Sequence, residues 1–60
     1  MEQLESVKKS VIEKIEKLFN KYSIAYNVKY DEFWTIEYNG EDITEEVYDE
    51  LENIAIKYNL

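Results

Sequence analysis

The apolar positions of the chain fall into periodic blocks separated by polar turns. From Leu4 onward, Val7, Val11, Ile15, Leu18 and Tyr22 recur every three or four positions, with Ile12 and Phe19 widening the stripe. That spacing predicts an amphipathic helix over residues 3–21. The opposite face carries Glu2, Glu5, Lys9, Glu13, Lys17 and Lys21. Glu5–Lys9 and Glu13–Lys17 stand at i,i+4 in the favourable order, each adding roughly a few tenths of a kcal/mol.

Residues 24–30 and 34–38 change to period two and are rich in β-branched and aromatic side chains, which predicts the two strands of a hairpin. A two-residue loop at Asp31-Glu32 would set Trp34, Ile36 and Tyr38 on the wrong face. A three-residue loop, Asp31-Glu32-Phe33, pairs Tyr30 with Trp34, Val28 with Ile36 and Tyr26 with Tyr38. Ile24, Tyr26, Val28, Tyr30, Trp34, Ile36 and Tyr38 then share one face, and a slip of one residue destroys it. The other face, Ala25, Asn27, Lys29, Thr35 and Glu37, meets water. Phe33 sits at the tip, either folded back over the sheet edge or a helix end, or presented as an anchor for a partner.

Asn39-Gly40-Glu41-Asp42 is a turn in which Gly40, the only Gly, is free to take φ > 0. Thr44 is placed to cap a second helix over Glu45–Tyr58, with Ile43 and Tyr48 forming a hydrophobic staple. The stripe Val47, Tyr48, Leu51, Ile54, Ala55 and Tyr58 faces inward. Glu45, Glu46, Asp49, Glu50, Glu52 and Asn53 face outward. The expected fold is α+β: one small domain over residues 1–60, of order helix-strand-strand-helix, with both helices on one face of an antiparallel β-hairpin. A lone hairpin is marginal and leaves open edges, so a homodimer through a hairpin edge is expected to be accessible.

A 60-residue domain buries only about 60% of the surface its unfolded chain exposes. With no Cys, the core rests on apolar packing alone, and 45% hydrophobic residues, including six Tyr, two Phe and one Trp, are enough to build it. No apolar run of membrane-spanning length and no basic-then-apolar leader occurs, and a cytoplasmic location is expected.

Candidate chemistry is sparse. Without His or Cys, the usual bases, nucleophiles and soft metal ligands are missing, and Ser6, Ser10 and Ser23 have no base in any recognisable motif. Paired carboxylates for glycoside hydrolysis need a cleft that a chain this short does not provide. No enzyme activity, cofactor or dedicated metal site is expected. Glu41, Asp42 and Glu45 are the nearest to a hard-cation cluster. Asp31 to Asp42 has the length of a calcium loop but lacks an oxygen ligand at its third position and a Gly at its sixth.

The charge is one-sided. Residues 1–22 carry +1 and residues 23–60 carry −8, giving the net −7. Between Tyr30 and Ile56 there are ten carboxylates and no Lys or Arg. Direct binding of nucleic acid or of an anionic membrane surface is therefore excluded, and basic protein surfaces are the natural partners. Carboxylates in the first turn of the second helix complement its dipole. Yet Glu45–Asp49 and Glu46–Glu50 are like-charge i,i+4 pairs, each costing about 0.2–0.5 kcal/mol. Asp42, Glu45, Asp49 and Glu52 follow at spacings of three, four and three, which sets carboxylates roughly 5–6 Å apart along a line. Phosphates of a nucleic-acid strand recur at a comparable interval, so a Lys- and Arg-lined groove can accept this row instead.

In size, charge and layout the chain resembles the small acidic inhibitors that phages and mobile elements encode against host defences, such as anti-CRISPR and anti-restriction proteins that imitate nucleic acid. The resemblance is one of general character and transfers no residue roles. The expected function is that of a non-enzymatic acidic inhibitor occupying a basic, nucleic-acid-binding site on a larger protein. Asp31, Glu32, Phe33, Glu41, Asp42, Glu45, Glu46, Asp49, Glu50 and Glu52 are the candidate contacts. The alternative is a self-contained structural, designed or oligomerisation module with no ligand.

Overall fold

Three antiparallel strands, not two, carry the fold. The computed structural model describes residues 1–59. Its elements are strand β1 (Glu2–Ser6), helix α1 (Lys9–Lys21), strands β2 (Tyr26–Asp31) and β3 (Phe33–Tyr38), a 3-10 turn (Gly40–Asp42) and helix α2 (Glu45–Tyr58). The strand order is β1-β3-β2, so the second strand of the hairpin is the centre of the sheet. The α+β class holds; the order helix-strand-strand-helix gives way to strand-helix-strand-strand-helix.

The helix predicted over residues 3–21 is divided. Its first four positions, with Glu2 just before them, pair with β3 instead, Leu4 opposite Ile36, Glu2 opposite Tyr38 and Ser6 opposite Trp34. The Ser6 hydroxyl oxygen accepts the Lys8 N–H at 3.1 Å, which turns the chain out of the strand and into α1. Leu4 and Val7 fit a helical stripe by spacing alone. A strand at this place satisfies the backbone of β3 along an edge the hairpin leaves bare. Val7, expected in the stripe, lies in the connection and is 80% exposed. Glu5 and Lys9 stand on different elements, so they are not a helical pair.

The hairpin register is the one that the three-residue loop requires: Tyr26 opposite Tyr38, Val28 opposite Ile36, Tyr30 opposite Trp34. The strands extend one step further, to Asp31 opposite Phe33, and the turn is made at Glu32, whose φ of 67° is left-handed. Gly40, in contrast, does not use a positive φ. A Cβ at Gly40 would lie 2.9 Å from Cγ of Glu2, so the glycine makes room for the β1 side chain crossing it.

One face of the sheet is polar, with Gln3, Glu5, Asn27 and Lys29 exposed. Across it Lys29 Nζ meets Glu37 Oε1 at 3.1 Å, and this cation first, then Asn27, holds the Glu37 carboxyl below its usual range. The other face joins both helices in one core: Val11, Ile12, Ile15, Leu18 and Phe19 of α1, Ile24, Ile36 of β3, and Val47 and Leu51 of α2. Phe19 is seated on the cross-strand pair Tyr26 and Tyr38, with ring centroids 5.9 and 5.0 Å away.

Ile36, fully buried between Leu4 and Val28, and Val7 give a direct test of this division. Ile36→Ala is expected to cost about 2–5 kcal/mol, much of the stability a domain of this size has. Val7→Ala is expected to stay within about 0.5 kcal/mol, as for a surface position. Urea unfolding followed by circular dichroism separates the two. A loss at Val7 comparable to that at Ile36 would restore the uninterrupted helix.

Candidate functional site

Helix α2 begins and ends as its sequence dictates. The Thr44 side chain accepts the Val47 N–H at 3.4 Å, Glu45 and Glu46 occupy the first turn, and Asn59 closes the helix in the left-handed conformation. Val47 and Leu51 anchor it to the core. With those two inward, the helical period turns Glu45, Asp49 and Glu52 outward as one exposed row at i, i+4 and i+7. Glu41 and Asp42 are exposed in the turn just before it, where the Asn39 side chain accepts the Glu41 N–H at 3.0 Å.

The ten carboxylates do not form one surface. Asp31 and Glu32 stand at the hairpin tip, at the far end of β3 from the turn holding Glu41 and Asp42. Six residues of strand separate the two ends by about 17 Å. Phe33 is half-buried and lines a shallow hollow of about 410 Å³ with Val7, Val11 and Tyr58. Glu37 is engaged by Lys29 on the outer sheet face.

Glu46 and Glu50 have a partner that the sequence did not disclose. The Tyr22 hydroxyl, at the end of α1, lies 2.7 Å from Glu50 Oε2 and 3.0 Å from Glu46 Oε1. One phenolic proton serves the two acceptors, so the like-charge pair on α2 is bridged instead of bare. The hydrogen bond to Glu50 first, then desolvation and the bond to Glu46, push the Tyr22 phenol well above its usual range. Lys14, Lys17 and Lys21 line the α1 wall of the groove whose other wall holds Glu50 and Asn53. This side of α2 faces its own molecule.

The opposite side of α2 faces β1, and there a sequence-remote carboxylate joins the row. Glu2, expected on the first helix, lies beside Tyr38 in the sheet. With Tyr38, Glu41, Ile43 and Tyr48 it lines an open cleft of about 510 Å³. With Tyr38, Tyr48 and Glu52 it lines a second, smaller hollow. Burial first, then the Glu2 charge, raises the Tyr38 phenol above its ordinary value. Tyr48 is 62% exposed beside this cleft, so of the expected staple Ile43 is half-buried while Tyr48 stays mostly in water. Ile56, 72% exposed and one turn beyond Glu52, presents a bare aliphatic side chain on the acidic face. Its position outside the apolar stripe was visible in the periodicity; the approach of Glu2 was not.

Among the described residues no three carboxylates converge closely enough to hold a metal ion, and Glu41, Asp42 and Glu45 are not gathered into one group. Lys29–Glu37 is the one ion pair among those residues, so Glu45, Asp49 and Glu52 face water without a cation beside them. No helix among those residues is long and apolar enough to cross a membrane. Compared with known protein families, curated proteins and solved structures, the chain matches none.

The raised Tyr22 pKa fixes the sign of a pH effect. Below about pH 10 the phenol is protonated in both folded and unfolded chains, and its contribution to stability is complete. As pH rises beyond that value, the unfolded chain releases the proton first and the contribution is lost. Thermal unfolding between about pH 9 and 11 is expected to show the melting temperature of the wild type falling more steeply than that of Tyr22→Phe. Parallel curves for the two would mean that the hydroxyl does not bridge the glutamates in solution.

Proposed function

We propose that this protein is a non-enzymatic acidic inhibitor whose second helix occupies a basic site, built for nucleic acid, on a larger protein. The observation that carries the reading is the exposed row Glu45, Asp49 and Glu52, continued by Glu41 and Asp42, with no cation within ion-pair distance among the described residues. Other acids of the chain have company: α1 intersperses Lys with Glu in sequence, Glu37 is held by Lys29, and Glu46 and Glu50 both accept the Tyr22 hydroxyl. Glu45, Asp49 and Glu52 have no such partner among the described residues. Its carboxylates steer and orient a cationic surface, and Tyr48 and Ile56 supply apolar contact, because charge alone gives on-rate more than affinity.

The contact surface is narrower than the full run of acids. Glu46 and Glu50 serve the α1–α2 contact, and Asp31, Glu32 and Phe33 lie at the other end of the sheet as a separate patch. The anti-defence setting suggested by size and charge belongs to the same proposal. For Glu37, Glu46 and Glu50 the internal hydrogen bonds favour the alternative, a purely structural use of charge.

The variant Glu45→Lys, Asp49→Lys, Glu52→Lys tests the proposal. Three reversals change the net charge by +6, from −7 to −1, without touching a buried side chain. The wild type, immobilised and exposed to a bacterial lysate, is expected to capture a basic nucleic-acid-binding protein that salt and competing duplex DNA both displace. The triple variant is expected to bind that protein about tenfold or more weakly. Equal capture by the two, or a partner indifferent to salt and DNA, overturns the reading.

A further inference from the structure

The sheet ends in two free edges, β1 and β2, which differ in charge. Edge β1 carries Glu2 and Glu5 with no cation on the strand and lies beside Glu41 and Glu52, so a second copy placed there would bring two acidic edges together. Edge β2 reads Tyr-Asn-Val-Lys-Tyr-Asp, one cation and one anion, with no Pro and no bulge in its ladder with β3. A lysine on an edge strand ordinarily discourages pairing. Here Lys29 is drawn across the outer face to Glu37. The helix above this edge, α1, is also mixed in charge, and its Glu16 accepts the Tyr26 hydroxyl.

We propose that β2 pairs antiparallel with β2 of a second copy about a two-fold axis at Val28, joining two three-stranded sheets into one of six strands. In this register Val28 opposes the partner's Val28, Tyr26 the partner's Tyr30, and Asn27 the partner's Lys29. Opposing residues then share a face in both copies, so the helices of both lie on the same side. No like charges oppose one another. The register centred one residue on sets Lys29 against the partner's Lys29 and is disfavoured. Tyr30, 62% exposed in the single chain, gains the partner's Tyr26 as an aromatic cross-strand neighbour. The interface is isologous, and it leaves the two α2 acidic rows at the outer ends of the joined sheet. It is independent of what those rows bind.

Sedimentation equilibrium over micromolar to millimolar chain concentrations tests the pairing. The wild type is expected to approach twice the 7.3 kDa chain mass. Asn27→Lys adds a cation opposite the partner's Lys29, twice per dimer, and is expected to raise the dissociation constant roughly tenfold. The double variant Asn27→Lys, Lys29→Glu moves the cation directly opposite Glu37, which keeps the cross-strand ion pair and makes the new contact attractive. It is expected to restore the dimer, while the circular dichroism of Asn27→Lys, expected to match that of the wild type, shows that its monomer arises from repulsion and not from loss of fold. A wild type monomeric throughout overturns the proposal. So does a dimer that Asn27→Lys leaves intact, which would place the contact at β1 or a helix, or a double variant that stays monomeric.

Discussion

Ile36 is the point on which both halves of this small protein close. It is the middle residue of the central strand, with Leu4 on one side, Val28 on the other, and the helical core beneath. A two-stranded hairpin has too little apolar surface to hold two helices, and the helices have no other sheet to cover. The third strand resolves this by converting β3 from an edge into a centre. Its cost in sequence is small, one leucine flanked by polar residues, because β3 supplies the pairing surface.

The same strand reorganises the charge. Drawing residues 2–6 away from α1 moves Glu2 from a helix surface to the side of Tyr38, next to the turn that leads into α2. Meanwhile the end of α1 brings Tyr22 to the opposite flank of α2 and absorbs Glu46 and Glu50 into an internal hydrogen-bonded contact. An apparently uniform acidic segment is thereby sorted into carboxylates that hold the molecule together and carboxylates left to water. The two flanks of one helix carry different duties, set by which neighbour each one meets. The sheet divides likewise, with an acidic edge at β1 and a neutral one at β2.

Local signals suffice where one element decides its own geometry. Thr44, the acidic first turn and the stripe through Val47, Leu51 and Ile54 define α2 at both ends. The hairpin register followed from parity, since only one pairing keeps Tyr26, Val28, Ile36 and Tyr38 on one face. The exposed row Glu45, Asp49 and Glu52 followed from the helical period. They do not suffice where a distant segment decides. Leu4 and Val7 satisfied a helical spacing by coincidence, and nothing within residues 2–6 records that β3 needs a partner. A turn sequence suggests backbone freedom at Gly40, whereas its lack of a side chain admits Glu2, 38 residues earlier in the chain.

The sequence by itself determined α2 and its cap, the hairpin and its register, and the concentration of negative charge in the second half. Each of these rests on periodicity, side-chain parity or composition, which act over a few residues. Only the tertiary structure decided that β1 is a strand, that β3 is central, and which acids are engaged and which are free. Those outcomes depend on backbone groups seeking partners across the chain and on a phenol reaching from one helix to another. Contacts of that kind are chosen by the folded geometry, because the energy that favours them appears only when both segments are in place.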